Sequence, residues 1–454
     1  MISLRLSQAA AAIDTHLGGE DITFAGVSTD TRSLAAGQLF FALRGPNFDA
    51  HDKLDDAQVA GAVAAVVERA MPSALPQLVV ADSRRALGDL ARVWRQRFSV
   101  PVLAVTGSAG KTTVKEMLAA VMRTQGSVLA TRGNLNNDIG LPLTLFQLDE
   151  SHRAVVLEMG ANHAGDIALL VDIARPQVGV ITLCAPSHLE GFGSIEGVAR
   201  TKGEMFSGLP ADGVAILNNE DVQAPLWRQL AGSRRVVSFG EGADFSAHDI
   251  RATSDGSVFT LRALDQEVAI TLRHRGMHNV RNALAAAAAA SAAGVSLFDI
   301  ARGLAEAGTV GGRLQYRPGI AGCRLIDDSY NANPASIAAA LQVLAIEPAP
   351  RWLVFGDMRE LGPDAVDYHR DVGVQAAAAG VDRLFTIGTL ARHAHERFDR
   401  AAVHGSDHEG LLRALRAALS SRNTSPPTIL IKGSRAMALD KVANALAAGS
   451  ESAC

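Results

Sequence analysis

The chain has 454 residues, with 43 Lys plus Arg against 47 Asp plus Glu and a formal net charge of −4. That length predicts roughly two to four domains, and a near-balanced charge without a basic tract argues against nucleic acid as the main partner. Cys184, Cys323 and Cys454 have neither a zinc spacing nor a disulfide pattern. The first residues, Met-Ile-Ser-Leu-Arg-Leu, carry no signal-peptide pattern, so a reduced, cytoplasmic setting is expected.

In chain order, residues 1–98 mix short strands (37–43, 62–68, 77–81) with helices and end in a helix over 84–97. From 99 to 314, the apolar runs 102–105, 154–158, 178–183 and 214–218 alternate with helical patterns, as in a doubly wound parallel sheet. The stretch 235–275 holds shorter alternating runs (257–262, 267–273) and predicts an antiparallel patch. The alanine-rich run 283–294 is too short to span a bilayer and reads as a buried helix. From 315 to 454 the alternation restarts (324–327, 352–355, 384–387, 428–431), giving a second α/β unit that resembles a Rossmann-type fold without G-x-G-x-x-G. A polar stretch at 420–427 is the one linker-like segment. The expected fold is therefore α/β in three domains: an N-terminal substrate domain (1–98), a central P-loop domain (99–314) and a C-terminal Rossmann-like domain (315–454).

The most informative segment is V-P-V-L-A-V-T-G-S-A-G-K-T-T-V-K-E at 100–116. Strand, glycine-rich turn and helix start follow one another, which points backbone N–H groups and a helix N-terminus at one place, as a phosphate chain requires. Thr106, Gly107, Ser108, Ala109, Gly110, Lys111, Thr112 and Thr113 form the candidate loop. Lys111 supplies a charge for the β- and γ-phosphates and Thr112 a hydroxyl for Mg²⁺. The loop is a shortened variant, since Val105 stands where the usual pattern has its first glycine.

Lysine usage adds a second signal. Only six lysines occur, at 53, 111, 115, 202, 432 and 441. A lysine retained in so arginine-rich a chain marks a position where arginine cannot substitute; Lys53 and Lys441 read as surface. Glu158 ends a strand beside the P-loop strand, at the edge where open α/β sheets bind ligands, and suits Mg²⁺. His188 follows the next strand at the same edge. Lys202 lies on the helix after it. A lysine among metal ligands makes sense if its amine carries CO₂ as a carbamate; the plain alternative is a surface lysine paired with Glu204 or Glu196.

The sequence resembles the Mur ligase family of peptidoglycan synthesis, and the motifs run through all three zones. T-G-S-A-G-K-T-T is similar to the family's P-loop, and T-R-G-N-L-N-N-D-I-G-L-P (131–142) to its sugar-side loop, implying roles for Gly133, Asn134, Asn136 and Asn137. E-M-G at 158–160 implies a magnesium glutamate. His188 and Lys202 match a second-metal histidine and a carbamylated lysine. G-M-H-N-V-R-N (276–282) implies Asn279 and Asn282 at the adenine, and Gly-Gly-Arg at 311–313 a hinge arginine, Arg313, at the phosphates. D-D-S-Y-N-A-N-P (327–334) implies Asp328 at the ribose, with Tyr330, Asn331 and Asn333 toward an incoming dipeptide. K-G-S-R-A-M (432–437) matches a further C-terminal motif. S-T-D-T-R (28–32), with Ser28, Thr29, Asp30 and Arg32, and G-Q-L-F-F-A-L-R-G (37–45), followed by His51, look like the uridine-side signature.

Each segment also has a simpler reading. Asn-rich 133–137 could be only a turn, Arg313 a solvent-facing linker residue, and D-D-S-Y-N-A-N-P a strand end with Asn333 or Ser336 capping a helix. Phe40, Phe41 and Leu43 read as core. The resemblance implies an ATP-dependent amide ligase that uses two Mg²⁺ ions and works through an acyl phosphate. Its pattern is closest to members joining D-alanyl-D-alanine to UDP-N-acetylmuramoyl-tripeptide. A monomer without membrane insertion is expected. The sister branch that adds a diamino acid usually carries D-N-P-R, absent here, and a folylpolyglutamate-synthase-like ligase would not need 28–32 or 133–137. A nucleotide-gated regulatory protein is the alternative from another class. Substrate residues divided between domains predict closure, with Gly311, Gly312 and Gly319 as hinge candidates.

Overall fold

The computed structural model describes residues 1–253, 255–421 and 425–449; Cys454 and the centre of the 420–427 stretch lie outside them. Three α/β layers follow one another. The first holds four short parallel strands in the order Val27–Ser28, Leu39–Phe41, Ala64–Val67 and Gln77–Val79. The helix Ser83–Arg95 then leads into the middle layer.

The middle sheet has nine strands. In spatial order they are Ser127–Ala130, His152–Glu158, Val102–Thr106, Val178–Ile181, Val214–Asn218, Arg235–Phe239, Phe245–Ala252, Ser257–Ala263 and Gln266–Leu272. Val102–Thr106 is buried along its whole length, which its Val/Leu/Ala run permits because helices cover both faces. It lies between His152–Glu158 and Val178–Ile181, so the P-loop, Glu158 and the segment after Ile181 open on one edge. The expected antiparallel patch starts later than the sequence suggested. Arg235–Phe239 pairs in parallel with Val214–Asn218, because the helix Ala224–Ala231 provides a crossover between them. The antiparallel strands begin at Phe245 and continue the same sheet.

The alanine run lies in the helix Met277–Ala292, with Ala283 and Ala285–Ala290 almost wholly buried. Small side chains let it pack closely on the P-loop helix Lys111–Arg123. No helix among the described residues is long and apolar enough to cross a membrane.

The third sheet has six strands in the order Gln315–Pro318, Arg324–Asp328, Thr428–Lys432, Arg351–Gly356, Arg383–Ile387 and Ala401–Gly405, all parallel except the first. Cores divide unevenly. One apolar cluster runs from Ile2 through Trp94 into Val102, Leu157 and Trp227, so the first layer and the middle one are fused. The third unit has its own clusters on its two sheet faces. Gly319 lies inside that third unit, bridged to Ala447, and a Cβ there would stand 2.3 Å from the Cys323 sulfur. It is unsuited to act as a pivot, which leaves Gly311 and Gly312.

Candidate active site

The P-loop turn depends on two glycines. Gly107 has φ +143° and Gly110 φ +82°. An added Cβ would lie 1.9 Å from Thr182 Oγ1 at Gly107 and 2.6 Å from Asn282 Oδ1 at Gly110, so these positions need glycine for conformation and for space. Lys111 opens the helix, and its ammonium donates to the Gly107 carbonyl at 2.7 Å, within the loop it would leave for a phosphate. Burial pushes the Lys111 ammonium below the usual lysine range, partly opposed by the charge of Glu158.

Thr112 and Glu158 meet at the bottom of the loop. The Thr112 hydroxyl donates to Glu158 Oε2 at 2.7 Å, and the Asn136 amide donates to Oε1 at 2.7 Å. Glu158 is placed by register: it pairs with Val105, the residue before the loop begins at Thr106. Asn136 thereby joins the Asn-rich segment to the glutamate. Asn137 does something else, accepting from the Gly140 N–H at 2.9 Å to start a helix. Gly133 adopts φ +57°, a turn conformation.

A cleft of about 430 Å³ lies above the loop. Its walls include Ser108, Ala109, Gly110, Lys111, Thr113, Asn134, Asn136, Glu158 and His188, together with Asn279, Asn282, Arg313, Asp328, Tyr330, Asn331 and Asn333. Two-thirds of the chain and its C-terminal third therefore face each other across one space. Thr106, Gly107, Thr112 and Lys202 do not line this cleft, and neither do Ser28, Thr29, Asp30 and Arg32. Asp30 and Arg32 pair at 2.7 Å, and the resulting hydrogen bonds hold the Asp30 carboxyl down at about 2. His51 is buried, and its Nε2 accepts from the Glu68 N–H at 2.8 Å.

Contacts from the hinge segment and the third unit complete the cleft. Arg313 Nη2 donates to Thr112 Oγ1 at 2.8 Å, and its guanidinium lies 4.4 Å from the centre of the Tyr330 ring. Its Nε is buried and without a hydrogen-bond partner among the described residues. Asn333 caps the helix Pro334–Ala345 by accepting from the Ser336 N–H at 2.8 Å, and its amide also donates to the Ser108 carbonyl at 3.2 Å. Asp328 and Lys432 are register partners on adjacent parallel strands and form a buried ion pair. The ammonium donates on to the Asn331 carbonyl at 2.9 Å. Burial raises the Asp328 carboxyl above the normal range, opposed by Lys432. Asn279 accepts from Asn282 at 3.0 Å within the first turns of the alanine helix, and Asn282 packs against Gly110 of the P-loop.

His188 adopts φ +51°, and its Nδ1 meets the carboxylate of Glu360 from the third unit; burial lowers its basicity. The Leu189 N–H also donates to the Glu360 carbonyl at 2.8 Å. Glu360 was not legible in the sequence, because nothing local marks a partner lying in another domain.

Lys202 departs from the plain surface reading. It is 1 % exposed. Its ammonium lies 5.2 Å from the centre of the Phe192 ring and makes no hydrogen bond or ion pair among the described residues. Glu204 instead accepts from the N–H groups of Gly165 and Ala168, and Glu196 pairs with Arg200. The physical reason is helical spacing: residues two apart do not share a face. Burial, with repulsion from Lys111, lowers the Lys202 pKa to about 7.

The donor set fits divalent cations in a restricted way. Thr112 and Glu158 are hard oxygen donors side by side, the kind Mg²⁺ takes together with phosphate oxygens and water. No three His, Cys, Asp or Glu side chains converge among the described residues. Burial that favours the neutral amine of Lys202 suits the nucleophile that carbamate formation requires.

The fold and the cleft define a P-loop nucleotide site assembled between two α/β units. The segment 105–290 matches the Mur ligase middle domain and 312–435 the Mur ligase glutamate ligase domain. The chain belongs to the Mur ligase family. It is 45% identical over 449 residues to the UDP-N-acetylmuramoyl-tripeptide--D-alanyl-D-alanine ligase of Escherichia coli strain K12, covering 98% of this chain and 99% of that one. A crystal structure of MurF from Acinetobacter baumannii superposes with TM-score 0.94 at 35% identity, covering 98% of this chain and 99% of that one. MurF from Thermotoga maritima in complex with ADP gives 0.81 at 29% identity, over 92% of this chain and 96% of that one.

Proposed function

We propose that the protein joins D-alanyl-D-alanine to UDP-N-acetylmuramoyl-tripeptide at the expense of ATP, releasing ADP and phosphate, as a monomeric enzyme of cytoplasmic peptidoglycan precursor synthesis. One observation carries this reading beside the full-length similarity. Lys111 and Glu158 of the P-loop unit line one cleft with Arg313 and Asn333 of the C-terminal third, and the two sides touch through Arg313–Thr112 and Asn333–Ser108.

In the first step the terminal carboxylate of the tripeptide attacks the γ-phosphorus, the bond to the β-phosphate oxygen breaks, and ADP departs. Lys111 exchanges the Gly107 carbonyl for phosphate oxygens, and Arg313 places a second positive charge there. In the second step the dipeptide amine attacks the acyl carbon, the carbon–oxygen bond to phosphate breaks, and the amine's proton passes to solvent. Asn279 and Asn282 serve the adenine and Asp328 the ribose. Asn134, Asn136, Asn137 and Gly133 serve the sugar and pyrophosphate, and Ser28, Thr29, Asp30 and Arg32 the uridine end. Tyr330, Asn331 and Asn333 face the dipeptide. Thr112 and Glu158 would hold one Mg²⁺, and His188 with Lys202 as its carbamate a second. When bound, these ions lower the repulsion between phosphate and carboxylate.

Phosphate release, with each component omitted in turn, tests the assignment. Release that requires ATP, Mg²⁺, the tripeptide nucleotide and D-alanyl-D-alanine together supports it. Release with a dipeptide-stage nucleotide and a diamino acid instead moves the chain to the sister activity.

A further inference from the structure

A second cavity, of about 910 Å³, opens between the middle and third units, away from the active-site cleft. Its wall includes Arg275, Tyr316, Arg324 and Glu347. Glu347 is 3 % exposed, yet three donors converge on it. Arg275 Nη1 and the Tyr316 hydroxyl donate to Oε1 at 2.5 and 2.8 Å, and Arg324 Nη1 donates to Oε2 at 2.7 Å. The Arg275 guanidinium also stacks on Tyr316, 4.0 Å from the ring centre. Of the four, only Arg275 belongs to the middle unit. A buried carboxylate is tolerated when it is fully paired, and here part of that pairing comes from another domain.

The location gives the pair its consequence. Glu347 stands just beyond the helix Pro334–Ala345, whose opposite end is capped by Asn333, the residue that reaches Ser108 of the P-loop. Between these ends the helix packs on Gly276, where an added Cβ would lie 2.9 Å from Val343 Cγ2. One helix, about 18 Å long at 1.5 Å per residue, is thus tied to the middle unit at both ends. On the middle side the Arg275 carbonyl accepts from the Asn279 amide at 2.9 Å, Asn279 in turn accepts from Asn282, and Asn282 packs against Gly110.

We propose that Arg275 and Glu347 form an interdomain latch that positions the third unit so that Arg313 and Asn333 reach the P-loop. Both are positioning residues, since neither lines the active-site cleft. The latch favours the closed arrangement before substrates arrive and spares them part of the cost of selecting it.

The test compares Arg275→Ala, Arg275→Lys, Glu347→Gln and the Ala/Gln double variant with the parent. Its kinetic arm rests on the proposed ligase activity; its scattering arm does not. Arg275→Ala leaves Glu347 paired with Arg324 and Tyr316, so the third unit keeps its fold. The KM values for ATP and dipeptide are expected to rise about tenfold with kcat changed less than about twofold, as a smaller closed population requires. Arg275→Lys recovers part of the rise, and the double variant is no worse than Arg275→Ala. Small-angle scattering of the ligand-free variant gives a larger radius of gyration than the parent. An unchanged radius of gyration, or a fall in kcat at unchanged KM, overturns the latch. A parent without turnover counts against the ligase reading and leaves scattering to decide.

Discussion

Arg313 and Thr112 stand 201 residues apart in the chain and 2.8 Å apart in space. Through this contact the segment leading into the third unit touches the group placed to meet the phosphates. Arg313 is also braced on Tyr330, so its approach depends on where the third unit sits.

Arg313→Ala is therefore expected to lower kcat/KM by about 10³, the scale of an arginine acting on a transferring phosphoryl group, with most of the loss in kcat. Arg313→Lys recovers little, because one ammonium cannot reproduce the guanidinium fork or its stacking. Steady-state kinetics at saturating dipeptide checks this; a lysine variant near parental activity would contradict it.

The P-loop glycines give a binding prediction. Gly107→Ala forces a Cβ into Thr182 at a backbone angle that disfavours it. The loop must then shift, and its N–H groups no longer converge on phosphate. Calorimetric titration is expected to show ADP affinity reduced at least about tenfold, a loss of roughly 1.4 kcal/mol or more. Unchanged affinity would show that the loop absorbs the methyl group without moving its donors.

The legible parts of the site are those encoded locally. The strand, turn and helix of 102–123 could be read because apolar run, glycines and Lys-Thr are contiguous, and Glu158 because a carboxylate ended the next apolar strand. Burial of Lys202 was hidden, since its covering residue Phe192 lies on a separate short helix and Glu204 two positions on offered a false partner. Glu360 and Glu347 stayed invisible for a related reason: each acts on another domain, and no periodicity records such a contact. Arg235–Phe239 was missed as a parallel strand because it begins on a charged residue and its crossover helix is only eight residues long.

As the free amine, without the carbamate, Lys202 links pH to stability. Its folded pKa, about 7, lies below the unfolded value near 10.5. Between these values the unfolded state binds more protons, so this group makes stability rise with pH across that window. Its cost to the folded state is fully present below about pH 7. Lys202→Met is expected to be more stable than the parent at pH 6.5, with the difference shrinking toward pH 9, and to be inactive. Lys202→Ala is expected to regain some activity with small carboxylic acids, which supply the oxygens a carbamate would bring. Thermal unfolding across pH and a rescue assay check the two halves; a parent that gains nothing in stability from pH 7 to 9, or an alanine variant that acids leave inactive, would contradict them.

Asp328 and Lys432 give the opposite case. Removing the ammonium as Lys432→Met leaves a buried carboxylate without its cation, which costs about 3–5 kcal/mol. A carboxyl raised by burial binds more protons when folded, so acidification stabilises the variant relative to the parent. Denaturant unfolding should show the deficit narrowing from pH 7 to pH 5; a constant deficit would argue that packing, and not charge, is lost.

The central claim is that a substrate carboxylate is activated by phosphoryl transfer at this cleft. The most direct measurement uses UDP-N-acetylmuramoyl-tripeptide with ¹⁸O in its terminal carboxylate, together with ATP, Mg²⁺ and D-alanyl-D-alanine, followed by mass spectrometry. Activation as an acyl phosphate moves one carboxylate oxygen into each phosphate released, so labelled phosphate and a nucleotide product extended by the dipeptide should appear together. Unlabelled phosphate, or phosphate without the extended product, would contradict the account.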